Sequence, residues 1–255
     1  MINIAITGAY GRMGALIIKN IRDAPDMKLV AALDLSGIDM PAGADNVVIS
    51  HAGGIDAVLK STSPDVLIDF TIADAAVGNI RHAVHNNVNL VVGTTGLEPY
   101  RDEIAEIIAG NVSAVIAPNF AVGVNVFWKL LAEAAAYIGD WDIEIMEAHH
   151  RHKKDAPSGT AMQAAESINQ VIGGKSLVHG RKGLCPRGDE IGIHAIRGGD
   201  IVGDHFVLFA GDGERIEIRH QAHSRQAFAS GVIRATRWVM DAPAGIYGMG
   251  KVLGL

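Results

Sequence analysis

Ile2-Asn3-Ile4-Ala5-Ile6-Thr7-Gly8-Ala9-Tyr10-Gly11-Arg12-Met13-Gly14-Ala15-Leu16-Ile17-Ile18 decides the fold of this chain. Its first six residues form a short apolar run that stops at Gly8, as a buried strand does. After Gly14 the apolar residues continue as a helix that ends near Asp23, with Pro25 marking the break. The loop between them has glycines at its first, fourth and seventh positions, a relaxed form of the dinucleotide fingerprint. Gly8 permits a tight turn, Gly11 lets backbone approach a pyrophosphate, and Gly14 allows close helix packing. The helix N-terminus then faces the anion, and Arg12 can add a charged contact. A glycine loop alone is also a common structural turn. Here Lys28 to Asp34 reads as the next strand, and Asp34 ends it 20 residues after Gly14. An acid at that place accepts hydrogen bonds from ribose hydroxyls.

Working outward, Val66 to Phe70 reads as a strand after the turn Ser63-Pro64-Asp65, Asp74 to His85 as a helix, and Asn89 to Val92 as a strand. Glu98 to Ala109 is helical and Ser113 to Ala117 returns to strand. Strands alternating with helices in this way predict a parallel, doubly wound sheet of Rossmann type. Loops at the carboxyl ends of such strands line the ligand crevice. Gly93, Thr94 and Thr95, and then Ala117, Pro118, Asn119 and Phe120, are therefore expected to hold the nicotinamide end of a dinucleotide. Either loop alone is equally consistent with an ordinary polar turn. Asp34 repels a 2′-phosphate, and Leu35 and Ser36 follow it with no nearby cation, which points to NADH over NADPH.

The pattern then changes. Val122 to Ile138 is a long apolar helix, and Asp142 to Glu147 alternates with period two, as a one-sided strand does. Ala161, Ala165, Ile168 and Ile172 recur at helical spacing until Gly173-Gly174. Glu190 to Arg197, Ile201 to Ala210 and Glu214 to His220 read as strands joined by short glycine turns, which favour antiparallel pairing of neighbours. Ser224 to Met240 is helical. The second half is thus expected to be α+β on a mixed or antiparallel sheet.

The densest chemistry runs from Glu147 to Thr160, Glu-Ala-His-His-Arg-His-Lys-Lys-Asp-Ala-Pro-Ser-Gly-Thr. Ser158, Gly159 and Thr160 open a helix whose first amides attract an anion, and Lys153 and the histidines add charge. Hydride donation leaves negative charge on an acceptor, and His149 or Lys153 can neutralise it as an acid. The simpler readings are a helix cap at Ser158 and a loop brace at Asp155 through backbone hydrogen bonds. The brace is the reading preferred for Asp155. Three histidines in four residues also suit zinc, but no carboxylate or thiolate completes a recognisable spacing, and no metal is expected.

These stretches, with Asp69-Phe70-Thr71, Arg197 to His205, Glu217 to His220 and Gly245-Ile246-Tyr247, resemble dihydrodipicolinate reductases (4-hydroxy-tetrahydrodipicolinate reductases) over nearly the whole chain. The run from His149 to Thr160 is the most specific. The resemblance implies a homotetramer. It also implies a dinucleotide-binding domain over 1–120 to which 231–255 returns, and a substrate-binding and tetramerisation domain over 121–230. It implies NAD(P)H-dependent reduction of a cyclic dicarboxylate in lysine and diaminopimelate biosynthesis. By position, His149 resembles the family's proton donor/acceptor, Lys153 its proton donor, and His150, Gly159 and Thr160 its substrate-binding residues. Two positions depart from it: Leu35 and Ile72 stand where many or some relatives carry arginine, which bears on NADPH use and on cofactor affinity.

Bulk composition agrees with a small-molecule enzyme. With 22 basic against 28 acidic residues, the net charge of -6 gives no pull toward nucleic acid. The single cysteine, Cys185, forms no intrachain disulfide. No apolar run is long enough to span a membrane, and the N-terminus lacks a targeting pattern, so a cytoplasmic location is expected. Two rivals share the glycine loop and Asp34. One is another Rossmann oxidoreductase acting on an amino acid; the other is a non-enzymatic NADH sensor, which would leave His149 and Lys153 without purpose.

Overall fold

The computed structural model describes residues 1–43 and 46–255. The elements run β1 (Ile2–Thr7), α1 (Arg12–Asp23), β2 (Met27–Asp34), β3 (Ile49–His51), α2 (Ile55–Thr62), β4 (Val66–Asp69), α3 (Ala73–His85), β5 (Asn89–Val92), α4 (Arg101–Ile108) and β6 (Ser113–Ile116). They continue with α5 (Val122–Ile138), β7 (Asp142–His149), α6 (Gly159–Ile172), β8 (Ser176–His179), β9 (Glu190–Arg197), β10 (Gly203–Gly211), β11 (Glu214–Ala222), α7 (Gln226–Asp241), β12 (Gly245–Tyr247) and α8 (Met249–Leu253). The chain divides into two compact units. One comprises Met1–Ala121 and Phe228–Leu255, the other Val122–Ala227.

The first unit is built on a parallel seven-stranded sheet in the order β12-β6-β5-β4-β1-β2-β3. Its central strands are apolar on both faces because both are covered. Ile4, Ile6 and Ile68 pack with Ile17, Ile21, Val232 and Val239 on one side. Ala5, Leu67 and Leu90 pack with Leu59, Ile80 and Ile104 on the other. This is the doubly wound arrangement expected from the alternating pattern. The three-residue strands β3 and β12 were not anticipated, being too short to show a period.

The turn from β1 into α1 depends on two glycines. Gly8 has φ +75°, and a Cβ there would lie 2.3 Å from the Phe70 carbonyl oxygen. A Cβ on Gly14 would lie 2.1 Å from the Gly8 oxygen and 2.8 Å from Ala9 Cα. Both obstacles are backbone, so neither yields by a rotamer change. Gly14→Ala should therefore destabilise the chain by about 1–3 kcal/mol, read as a lower urea midpoint. An unchanged midpoint would mean that the loop relaxes freely.

The second unit carries a mixed sheet in the order β11-β10-β7-β9-β8. β10 is antiparallel to β11 and β7, whereas β9 is parallel to β7 and β8. The expected hairpin between β9 and β10 is not formed, although the one between β10 and β11 is. β7 lies between β9 and β10, so the Gly198-Gly199 segment must cross its end. There it hydrogen-bonds the chain leaving β7: the Gly198 amide donates to the His149 carbonyl at 2.9 Å and the His150 amide to the Ile201 carbonyl at 2.8 Å. The segment read as a hairpin turn is thus a strap that fixes the start of the histidine loop. One face of the sheet packs on α5 and α6 through Ile143, Ile145, Ile191, Val207 and Phe209. No helix among the described residues is long and apolar enough to cross a membrane.

Candidate active site

In the first unit the structure brings the glycine loop and Asp34 together. Asp34 Oδ2 accepts from the Tyr10 amide at 2.9 Å, and Oδ1 accepts from the Leu35 and Ser36 amides at 2.7 and 3.1 Å. The acid at the end of β2 thereby fixes the loop that it is expected to serve. Ala9 is buried and its amide donates to the Leu33 carbonyl at 3.2 Å. Tyr10 is exposed, Arg12 is exposed as the first residue of α1, and Met13 is partly buried against the core. Gly11 caps α1 with no side-chain hydrogen bond, and a Cβ on it would meet only the Gly8 oxygen within 4 Å. A helix start without a side-chain cap, beside a backbone with no Cβ in the way, is the cradle that a pyrophosphate needs.

The other loops of this unit meet around Phe70. Its ring fills the place where a Cβ on Gly93 would project, and it lies 5.9 Å from the Phe120 ring. Ala117 is tied to the neighbouring strand β5 by its amide, which donates to the Val92 carbonyl at 3.2 Å, and Asn119 Oδ1 accepts from the Ala121 amide at 2.9 Å. Pro118 and Thr95 are exposed. Thr94 is buried, and its hydroxyl donates to Asp69 Oδ1 at 2.6 Å while accepting from the Thr71 amide at 2.9 Å.

In the second unit, Ile143, Ile145, Glu147 and His149 all point to the buried side of β7. A carboxylate on that side needs partners. Glu147 Oε1 accepts from the Ser158 amide at 3.0 Å and from Arg197 at 2.8 Å; Oε2 accepts from Arg197 at 2.8 Å and faces His149 Nδ1 at 2.6 Å. Burial alone raises the Glu147 pKa. The Arg197 fork, His149 and the Ser158 amide outweigh it and leave the carboxyl below its usual range. His149 is also lowered, because burial outweighs the pull of Glu147. A charged Glu147 holds the His149 proton on Nδ1, so Nε2 keeps its lone pair.

Lys153 Nζ lies 2.9 Å from Asp155 Oδ1. Asp155 is expected to brace the loop through backbone hydrogen bonds, and its carboxyl does take one from its own backbone amide. Its carboxylate takes the Lys153 ammonium, and its carbonyl accepts from Arg197. The reason is proximity of charge: the loop turns back after the Lys153 amide bonds the His150 carbonyl at 3.0 Å. His150 Nδ1 is buried without a protein partner. Ser158 caps α6, its Oγ accepting from the Ala161 amide at 3.2 Å, and that Oγ lies 3.1 Å from His205 Nε2. Gly159 is exposed, with no heavy atom within 4 Å of where a Cβ would stand. The Thr160 carbonyl accepts from Trp128 Nε1 at 3.1 Å. The His205 ring stands edge-on to that of His149, 5.2 Å between centroids.

Glu147, Arg197 and His205 were not singled out as site residues. The period-two pattern could have found Glu147, since a carboxylate in phase with buried isoleucines is out of place unless it works. Arg197 and His205 carry no such local signal.

Comparison with known proteins agrees with both halves. Residues 2–120 match the family model described as dihydrodipicolinate reductase, N-terminus, and residues 123–253 match its C-terminus. The chain is 56% identical to the 4-hydroxy-tetrahydrodipicolinate reductase of Methanosarcina acetivorans and 54% identical to that of Methanosarcina barkeri, with 100% of both chains covered in each case. Among solved structures, it superposes on the dipicolinate-bound dihydrodipicolinate reductase from Paenisporosarcina sp. TG-14 with a TM-score of 0.82 at 31% identity, covering 97% of each chain.

Proposed function

The chain belongs to the dihydrodipicolinate reductase family, and from that premise we propose that it reduces 4-hydroxy-tetrahydrodipicolinate, via dihydrodipicolinate, to tetrahydrodipicolinate in lysine and diaminopimelate biosynthesis. It is an oxidoreductase, and its reductant is a nicotinamide dinucleotide. The uncapped glycine-loop helix start beside Asp34 carries the cofactor half of this reading. Gly8 to Met13 hold the pyrophosphate, Asp34 the adenosine ribose, and the loops at Gly93, Thr94 and Thr95 and at Ala117 to Phe120 the far end. Bound there, the nicotinamide supplies the hydride.

The substrate half falls to the helix start of α6. Gly159 and Thr160, with Ser158 and His150, hold a carboxylate of the substrate where the helix dipole favours negative charge. Lys153 donates the proton. His149 is neutral with its proton tied to Glu147, so its Nε2 serves as an acceptor and relay beside the lysine. Glu147 and Arg197 position His149 and brace the loop that carries Lys153. A homotetramer and a cytoplasmic location complete the reading, both by family likeness.

NADH is the expected cofactor, because Asp34 would repel a 2′-phosphate and Leu35 next to it is 71% exposed and uncharged. The test is cofactor oxidation by the purified protein, with substrate generated in situ by dihydrodipicolinate synthase. The expected result is turnover, with kcat/KM higher for NADH than for NADPH. Turnover with NADPH preferred would sink only the Asp34 argument. No turnover by a folded, NADH-binding sample would favour a different oxidoreductase or the sensor.

A further inference from the structure

We propose that Asp69 is the positioning residue of the cofactor crevice, a buried carboxyl group that clamps the end of β1 to the chain segments following β4 and β5. The inference rests on the cofactor reading above. Asp69 is the last residue of β4, at the centre of the parallel sheet between β1 and β5, and it is fully buried. Oδ1 accepts from the Thr94 hydroxyl at 2.6 Å and the Thr71 hydroxyl at 2.9 Å. Oδ2 accepts from the Thr7 hydroxyl at 2.7 Å and the Asn79 amide at 2.7 Å.

Every one of these partners is a donor. The Thr94 hydroxyl also accepts from the Thr71 amide, so the loops after β4 and β5 are joined to each other as well as to Asp69. Among the described residues no cation lies within ion-pair distance of it. A buried carboxyl group held by neutral side chains alone is costly unless those partners are fixed in place. That requirement gives the network its use. Thr7 precedes Gly8 directly, Thr71 follows β4, and Thr94 lies in the loop after β5. One carboxylate therefore sets the spacing between the start of the glycine loop and the two loops beside it. Asn79 anchors the same oxygen to α3.

Asp69→Asn keeps the shape but presents an N–H2 group to donors. The test is binding to the full chain, with NADH followed by fluorescence and AMP by calorimetry. AMP would engage the Asp34 turn and the helix start after Gly11, not the loops at Thr71 and Thr94 that Asp69 holds and that would serve the far end of NADH. The NADH Kd is expected to rise about tenfold or more while that for AMP stays within about twofold. An unchanged NADH Kd, or equal weakening for both ligands, overturns the proposal. Should the variant not fold, Thr71→Val and Thr71→Ser replace it. Valine removes a donor and is expected to weaken NADH binding, serine keeps the donor and the affinity, and equal affinity in the two overturns the proposal. Failure of the unaltered protein to bind NADH would instead refute the cofactor reading itself.

Discussion

Lys153→Ala is expected to lower kcat by about two to four orders of magnitude, the usual contribution of a positioned general acid. The reason lies in how the two candidate acids are held. His149 is buried, and its Nδ1 proton is shared with a Glu147 carboxylate that the Arg197 fork keeps charged. Burial outweighs the pull of Glu147 and lowers the His149 pKa, so at neutral pH the imidazole has no second proton to give. Lys153 Nζ lies 2.9 Å from Asp155 Oδ1, with its side chain 22% exposed, within reach of an incoming anion. On the proposed reading, a dicarboxylate entering the α6 helix start would compete with Asp155 for the Lys153 ammonium. Lys153→Ala should therefore lose kcat while the NADH Kd is retained, because the cofactor loops belong to the other unit. Lys153→Arg should not restore the rate, since a guanidinium keeps its charge but scarcely gives up a proton. His149→Gln should lose less, because it removes an acceptor rather than the donor. Steady-state kinetics with in situ substrate read all three. Rates that survive in both Lys153→Ala and His149→Gln would leave the site assignment without support.

Much of this could be read in the sequence wherever the signal is local. β1, the glycine loop, α1 and Asp34 lie within 33 residues of one another, and each signal reinforces the next. β7 was legible from alternation alone. The rest depends on what the chain meets far along. β3 and β12 have three residues each and exist only because neighbouring strands offer an edge. Gly198-Gly199 looks like a hairpin turn because nothing local says that β7 will lie between β9 and β10. The site is similar. His149 and Lys153 stand out in a dense polar run, but the burial that lowers the His149 pKa, and the Glu147–Arg197 pair, 50 residues apart, that holds its ring, are not local signals. Asp69 reads as the end of a strand until Thr7, 62 residues earlier, closes on it. Composition shows which groups are present; burial and partners across the sheet decide how they are held.

The largest effect on stability should come from acid. His205 is only 4% exposed, and its pKa falls from 6.5 to about 3, because burial penalises the imidazolium and His149, His220 and Lys153 add repulsion that Glu147 only partly offsets. Its Nε2 meets Ser158 Oγ, and its Nδ1 has no protein partner that could stabilise a second proton. The folded chain thus binds fewer protons here than the unfolded chain whenever the pH lies between the two values. The resulting stability is complete above 6.5 and is lost as pH falls toward 3. The slope is about 1.4 kcal/mol per pH unit for one such group. His149 and His220 are lowered as well, burial being the first cause in both, and they steepen the loss. Glu147 acts with the same sign but only below its ordinary value of 4.5. The interval from 6.5 to 4.5 therefore belongs to the histidines. Urea unfolding across that interval should show stability falling with pH. His205→Phe, placed beside Phe127 at 6.4 Å between ring centroids, should flatten the slope by about one proton's worth. A stability curve flat from 6.5 to 4.5, or a His205→Phe curve parallel to the parent's, would mean that His205 takes up its proton without unfolding the sheet.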